Sequence, residues 1–259
     1  MSDDDSATIE PGRVEALLFD LDGVLTRTAA LHAKAWKQAF DGFLGRRGTD
    51  GGDHGSEDLS PFDVDTDYPA YVDGKPRYDG VQSFLASRGI ELPRGSPDDD
   101  PGDDTVCAVG NRKNQLVLQI LHDDGVETYP DAVALLRNGR KAGLRTAIVS
   151  SSKNCLEVIT VAGIADLFDA RLDGHAVEEG GLAGKPAPDT YLAAADKLDV
   201  PPARAVVLED AVSGVEAGRA GDFGLVVGVD RVGADHAAQL REHGADIVSS
   251  ALDRLLSPS

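Results

Sequence analysis

From Pro130 to the C-terminus, short apolar runs alternate with stretches whose apolar residues recur at helical spacing. Ala132, Val133, Leu135 and Leu136 predict a helix over Pro130 to Ala142, and a strand Thr146-Ala147-Ile148-Val149 follows Gly143. The pattern continues with a helix from about Lys153 to Ala162 and another over Pro188 to Leu198. Strand Ala205-Val206-Val207-Leu208, helix Ala211 to Ala220, strand Leu225-Val226-Val227 and a last helix from about Ala234 complete it. Buried strands alternating with helices imply a parallel sheet covered on both faces. Near the N-terminus, Ala16-Leu17-Leu18-Phe19 is too short and too continuous for an amphipathic surface helix. It predicts a strand over Val14 to Phe19, buried on both faces, in the same sheet.

Between about Ala30 and Glu127 the rhythm changes. Helical patterns occur at Leu31 to Phe40, Val81 to Ser87 and Arg112 to Leu121, separated by a Gly/Asp-rich stretch (Gly45 to Gly55) and a Pro/Asp loop (Pro93 to Asp104). No strand pattern and no internal repeat is present there. The expected fold class is α/β: a doubly wound, Rossmann-like parallel-sheet core with a small α-helical cap inserted after its first strand. The expected division is an acidic mobile tail over 1–12, a core over 13–29 and 127–259, and the cap over 30–126. An insertion at that point belongs to the carboxyl edge of the sheet, where open α/β folds bind ligands, and predicts a lid.

Composition narrows the choice of partner. The 259 residues include 45 acidic and 25 basic side chains, for a formal charge of −20. Nucleic acid and anionic membranes are therefore unfavourable partners. Cys107 and Cys155 are the two cysteines, with neither metal spacing nor a disulfide framework, as expected of a cytoplasmic protein. No apolar stretch approaches a membrane span, and the first twelve residues lack the basic and apolar regions of a signal peptide. A soluble, monomeric protein acting on a small molecule is expected.

Polar groups cluster at the ends of the buried segments. Asp20 and Asp22 follow the first strand, Ser150-Ser151-Ser152 follow Ile148-Val149, and Glu209-Asp210 follow Val206-Val207-Leu208. Lys185 lies in Gly184-Lys185-Pro186-Ala187-Pro188-Asp189, ahead of a helix. Parallel strands would bring all four sets to one sheet edge. Ionised carboxylates there are costly unless paired, and a hard cation such as Mg²⁺ would pair with Asp20, Glu209 and Asp210. Ser150 and the N–H groups after it offer an anion site. Lys185 would neutralise a phosphoryl group. Each set has a plainer reading: an acidic turn, a helix cap, a solvated lysine, an acidic helix start. Together they suggest phosphoryl transfer, with Asp20 as nucleophile and Asp22 as general acid and base.

In this light the chain resembles the haloacid dehalogenase superfamily of phosphotransferases, on D-L-D-G-V-L-T (Asp20 to Thr26), I-V-S-S-S (Ile148 to Ser152), G-K-P-A-P-D (Gly184 to Asp189) and V-L-E-D (Val207 to Asp210). The resemblance implies Asp20, Asp22 (through its carbonyl) and Asp210 as Mg²⁺ ligands, with Glu209 assisting, and Ser150 and Lys185 on the phosphoryl group. Asp22 argues against the dehalogenase branch. Thr26 to Trp36, Asn111 to Asn114 and Ser150 to Asn154 are similar to the beta-phosphoglucomutase-like subfamily. That likeness implies Thr28 at a hinge, His32 beside the reacting groups, Lys113 reaching toward sugar or phosphate, and Ser151, Ser152 and Asn154 on the substrate. A cap cation, Arg77 ahead of Lys75 and Arg88, would hold the phosphate that is not transferred. The implied function is Mg²⁺-dependent phosphoryl transfer on a sugar phosphate through an aspartyl-phosphate, by a mutase or, alternatively, a phosphatase. A non-catalytic binding module is the distant alternative.

Overall fold

A run of four buried apolar residues, Ala16–Phe19, forms the central strand (β1) of a parallel sheet in the computed structural model, which describes residues 8–49, 51–52, 55–72 and 75–256. Strands β2 (Arg145–Val149), β3 (Ala170–Leu172), β4 (Ala205–Glu209), β5 (Leu225–Val229) and β6 (Ile247–Ser249) complete it in the order β3-β2-β1-β4-β5-β6. Every pairing is parallel. The strand order reverses direction between β1 and β4, and open α/β sheets place their ligand crevice at the carboxyl ends of such a switch point. Phe19 pairs with Ile148 on one side and Leu208 on the other, so Asp20, Val149 and Glu209 stand at the same level of the sheet edge.

The chain divides into two compact units. One holds everything up to Thr28 and from Val126 onward, the other Ala29–Gly125. In the first, one sheet face buries Ala16, Leu18, Val149 and Val207 against Tyr191, Ala194 and Val215 of the covering helices. These belong to α7 (Asp189–Lys197) and α8 (Val212–Ala220), with α4 (Pro130–Lys141), α5 (Cys155–Val161), α6 (Gly174–Gly180) and α9 (Ala234–Glu242) elsewhere in the unit. β3, β6 and α6 have no counterpart among the elements expected from sequence. Strands of three residues are too short to show a period, and α6 is fixed by Asp173, whose side chain accepts from the His175 and Ala176 N–H groups at its start.

The second unit contains most of α1 (Thr28–Arg47), all of α2 (Arg77–Ser87) and α3 (Val106–Asp124), and a π-helical turn at Tyr68–Val72. Its core is aromatic: Trp36 stacks on Phe40, and Phe40 packs on Phe62 and Phe84. α1 runs seven residues past the end predicted at Phe40, because Phe43 and Leu44 are buried in that core and hold the helix together through Gly42 and Gly45. The long segment after α1 is anchored rather than loose. Phe62 is fully buried, its N–H donates to Asp41, and Arg47 binds Glu57 with two hydrogen bonds of 2.6 and 2.7 Å.

The tail expected over 1–12 needs correction. Residues 1–7 lie outside the described residues, but Ile9 is buried and bridges to Leu256, with its N–H on the Leu255 carbonyl. One apolar side chain within the acidic stretch is enough to pin it to the core. Among the described residues no helix is long and apolar enough to cross a membrane.

Candidate active site

β1 is buried along its whole length, and its last apolar residue delivers Asp20 to the sheet edge with only 8 % of its surface exposed. The chain then turns tightly. The Leu25 and Thr26 N–H groups return to the Leu21 carbonyl, and the Gly23 N–H donates to Thr26. This turn buries Leu21, Val24 and Leu25 while Asp22 stays half-exposed, its carboxylate accepting from the Thr28 hydroxyl. The spacing of the two aspartates therefore places one on the sheet edge and the other on a turn tied to the first residue of α1.

Lys185 arrives from the loop before α7. Its Nζ lies 2.5 Å from Asp20 Oδ1 and 2.5 Å from Glu209 Oε1, so the lysine bridges the ends of β1 and β4. Glu209 is almost fully buried, and its oxygens are committed. Oε1 also accepts from the Tyr191 hydroxyl at 3.2 Å, and Oε2 accepts from the Ala211 N–H at 2.8 Å. The Tyr191 ring in turn lies 5.0 Å from the Lys185 Nζ. Burial alone would lower the Lys185 pKa, but Asp20 and Glu209 overcome it and hold the ammonium well above the ordinary lysine value.

Asp210 completes the cluster, and carboxylate oxygens of Asp20, Glu209 and Asp210 lie within 4.8 Å of one another. Burial pushes Asp20 well above the usual carboxylate range; Lys185 opposes that rise, while Glu209, Asp210 and Asp22 add to it. Asp210 is pushed up to about 7, first by burial and then by Glu209 and Asp22. Three carboxylates, Asp20, Glu209 and Asp210, thus gather beside one lysine with Asp22 near them, and the donor set is all oxygen. That arrangement fits a hard divalent cation, and this acidic cluster can hold a metal ion.

Two glycines, Gly23 of the D-L-D-G-V-L-T motif and Gly214 of α8, make the cluster possible. A Cβ on Gly23 would stand 1.8 Å from Asp210 Oδ2, and one on Gly214, in the first turn of α8, would stand 1.8 Å from Glu209 Oε1. Tyr191 was missed, its spacing being that of an ordinary core residue of α7. The turn G-V-L and the run S-G-V after Glu-Asp are the places where close packing against a carboxylate was legible in principle.

Ser150 follows β2 and is 98 % buried, with its N–H on the Leu172 carbonyl of β3. Its Oγ accepts from the Ser152 N–H at 3.1 Å, and the Ser152 Oγ accepts from the Asn154 N–H at 3.1 Å. Ser150 to Asn154 thus form a tight polar loop leading into α5, in which Ser151 is exposed and Ser152 and Asn154 are half-buried.

The other substrate-binding candidates, His32, Arg77 and Lys113, belong to the helical unit. Lys113 of α3 is buried, with Nζ 3.0 Å from His32 Nδ1 and 4.9 Å from the Trp36 ring centre. Burial, then Lys113, then Arg77 lower the His32 pKa to about 3, so the imidazole is neutral and Nδ1 accepts from the ammonium. Of the alternative cap cations, Arg88 is engaged by Asp58, Ser60 and Asp67, and Lys75 donates to Ser83.

Comparison with known proteins agrees with this layout. Residues 14–222 match the model of the haloacid dehalogenase-like hydrolase family. The chain is 51 % identical over 247 residues to a beta-phosphoglucomutase of Mycobacterium bovis, covering 95 % of this chain and 93 % of that protein. It is 30 % identical over 226 residues to the beta-phosphoglucomutase of Bacillus subtilis, covering 86 % and 88 %. Among solved structures, a HAD family hydrolase from Deinococcus radiodurans with bound phosphate and sodium superposes with a TM-score of 0.65 at 30 % identity, covering 95 % of this chain and 99 % of that one. With its sheet order, its acidic edge and these likenesses taken together, the chain belongs to the haloacid dehalogenase-like hydrolase family.

Proposed function

We propose that the chain is a Mg²⁺-dependent phosphomutase that converts β-glucose 1-phosphate to glucose 6-phosphate, acting in the cytoplasm. The observation that carries this reading is the identity of half its residues, along nearly its whole length, with a mycobacterial beta-phosphoglucomutase. The Asp20–Lys185–Glu209 bridge supports the chemistry. Asp20 is the nucleophile: one carboxylate oxygen bonds to phosphorus as the bond from phosphorus to the sugar oxygen breaks. Asp22, oriented by the Thr28 hydroxyl, gives a proton to the departing oxygen and later takes one from the accepting hydroxyl. Lys185 balances charge on Asp20 before transfer and on the phosphoryl oxygens after it. Ser150, whose Oγ already accepts from the Ser152 N–H, offers its O–H to those oxygens.

Asp20, the Asp22 carbonyl and Asp210 would hold Mg²⁺. Glu209, with both oxygens engaged by Lys185, Tyr191 and Ala211, would assist by fixing the lysine. When bound, the ion supplies charge neutralisation at the transferring phosphoryl group. In the helical unit His32, Lys113 and Arg77 are the groups we assign to the sugar and its second phosphate, with Ser151, Ser152 and Asn154 contributing from the core unit.

The test supplies β-glucose 1-phosphate, Mg²⁺ and a trace of the 1,6-bisphosphate. Glucose 6-phosphate should form, and Asp20→Asn should abolish turnover. Stoichiometric free phosphate without glucose 6-phosphate would assign the chain to the phosphatases instead. No turnover of any phosphoester by the wild type would favour the binding module.

A further inference from the structure

His236, on α9, reaches across to the end of β4. Its Nε2 lies 2.8 Å from the backbone carbonyl oxygen of Asp210, and its Nδ1 lies 3.1 Å from Asp230 Oδ1. Asp230 follows β5 and is itself held in place, since the same oxygen accepts from the N–H groups of Val232 and Gly233 at 3.0 and 2.9 Å. Both side chains are largely buried, with 20 % and 15 % exposure. The chain reaching the acidic cluster is thus gripped from β5 and α9, two elements that supply none of the site residues.

The grip falls on the peptide unit that joins β4 to α8. Its Ala211 N–H is held by Glu209 Oε2 at 2.8 Å, and on its other side the Asp210 carbonyl is held by His236. The Asp210 carboxylate must sit against Gly23 with no room for a methyl group, so a small rotation of its peptide unit would move the carboxylate off the cluster. A carbonyl held at 2.8 Å by a ring that is itself anchored resists that rotation.

We propose that the Asp230–His236 pair is a positioning device for the cation site: His236 Nε2–H donates to the Asp210 carbonyl, and the ring, carrying a proton on Nδ1 as well, donates to Asp230 Oδ1, which fixes its orientation. This rests on the reading of Asp210 as a ligand of the ion. The donation is the chemical content of the role, so a side chain able to place an N–H at the same point should replace the histidine. Glutamine reaches about as far as Nε2 and has such a hydrogen; asparagine is too short, and alanine has none.

The test is direct Mg²⁺ binding to the full-length protein by titration calorimetry, with Mg²⁺ as the only ligand. His236→Ala and His236→Asn should bind Mg²⁺ about tenfold more weakly than wild type, the scale of losing a group that orients a metal ligand. His236→Gln should stay within about twofold. Melting temperatures without Mg²⁺ should be alike for the asparagine and glutamine variants, which separates positioning from folding. Unchanged affinity in the alanine variant, or equal loss in asparagine and glutamine, would overturn the proposal. If the alanine variant does not fold, Asp230→Asn serves. Its amide oxygen still accepts from Val232 and Gly233 but holds the ring less firmly, and Mg²⁺ affinity should fall; full wild-type affinity would overturn the proposal. A wild type that turns over no sugar phosphate while these Mg²⁺ differences hold would reject the proposed function and support the positioning role.

Discussion

A methyl group on Gly23 would stand 1.8 Å from Oδ2 of Asp210, so the turn after β1 and the loop after β4 fit together only because residue 23 has no side chain. Gly23 also has φ of +81°, a conformation that costs an L-residue about 1–2 kcal/mol. Gly23→Ala should therefore lose stability by about that amount and expel the Asp210 carboxylate. Mg²⁺ affinity should drop by at least about tenfold while Asp20 remains in place. Calorimetric titration with Mg²⁺, beside a thermal melt, separates the two effects.

Lys185 lies 2.5 Å from Asp20 Oδ1 and opposes the rise that burial imposes on that carboxyl, and it also serves Glu209. Lys185→Met leaves Glu209 almost fully buried without its ion pair, so unfolding free energy should fall by about 3–5 kcal/mol, as when one partner of a buried pair is removed. Phosphoryl transfer should fall by at least about 10²-fold. Tyr191→Phe keeps the ring beside the ammonium and removes one hydrogen bond to Glu209, which should cost about 1 kcal/mol and far less activity. Urea melts and initial rates of the two variants test this ordering. A tyrosine variant as impaired as the lysine variant would show that Glu209, rather than Lys185, governs the site.

The sheet and the polar set at its edge were legible because both follow from local pattern. Ala16–Phe19, Arg145–Val149 and Ala205–Glu209 are short apolar runs, each ending in or followed by carboxylates or serines, and parallel pairing carries those ends to one level. What the sequence hid is whatever depends on approach between distant segments. Gly23, Tyr191 and His236 each matter through contact with Asp210 or Glu209 from a separate segment of the chain, and Gly214 through its close approach to Glu209; the residue types alone do not say which partner each meets. β3 and β6, with three residues each, are too brief to show a period and are set by pairing with β2 and β5. Ile9 was lost in the acidity of its surroundings. In the helical unit, burial of Phe43, Leu44 and Phe62 decides where α1 ends and how the following segment lies, which an intrinsic helix pattern ending at Phe40 did not convey.

His32 gives a spectroscopic test in the helical unit. Its pKa of about 3 follows from burial and then from Lys113 and Arg77, so its ring should not titrate between pH 5 and 8. Because the folded-state value lies below the usual 6.5, the unfolded chain binds the extra proton in between, and the site's contribution to stability rises with pH through that window. In Lys113→Met the imidazole should titrate at a distinctly higher pH. Histidine ¹⁵N chemical shifts across a pH series report it; a His32 that titrates near 6.5 in the wild type would break the assigned contact.

Asp210 predicts how proton and cation compete. Its pKa of about 7 in the metal-free protein, against an ordinary 3.8, means that the folded state holds a proton the unfolded chain has already released over that interval. Stability therefore falls as pH rises from about 4 to about 7, where the unfolded state binds fewer protons than the folded one. Above that range Asp210 is ionised and its repulsion by Glu209 and Asp22 is fully expressed, which is the condition in which a divalent cation has most to offset. Millimolar Mg²⁺ should thus raise the melting temperature more at pH 8 than at pH 5, as mass action on the folded state requires when a proton no longer occupies the ligand. In Asp210→Asn both the decline of metal-free stability with pH and the Mg²⁺ shift should shrink together. Thermal melts at the two pH values, with Mg²⁺ and with a chelator, measure all four quantities, and an equal Mg²⁺ shift at pH 5 and pH 8 would remove Asp210 from the cation site.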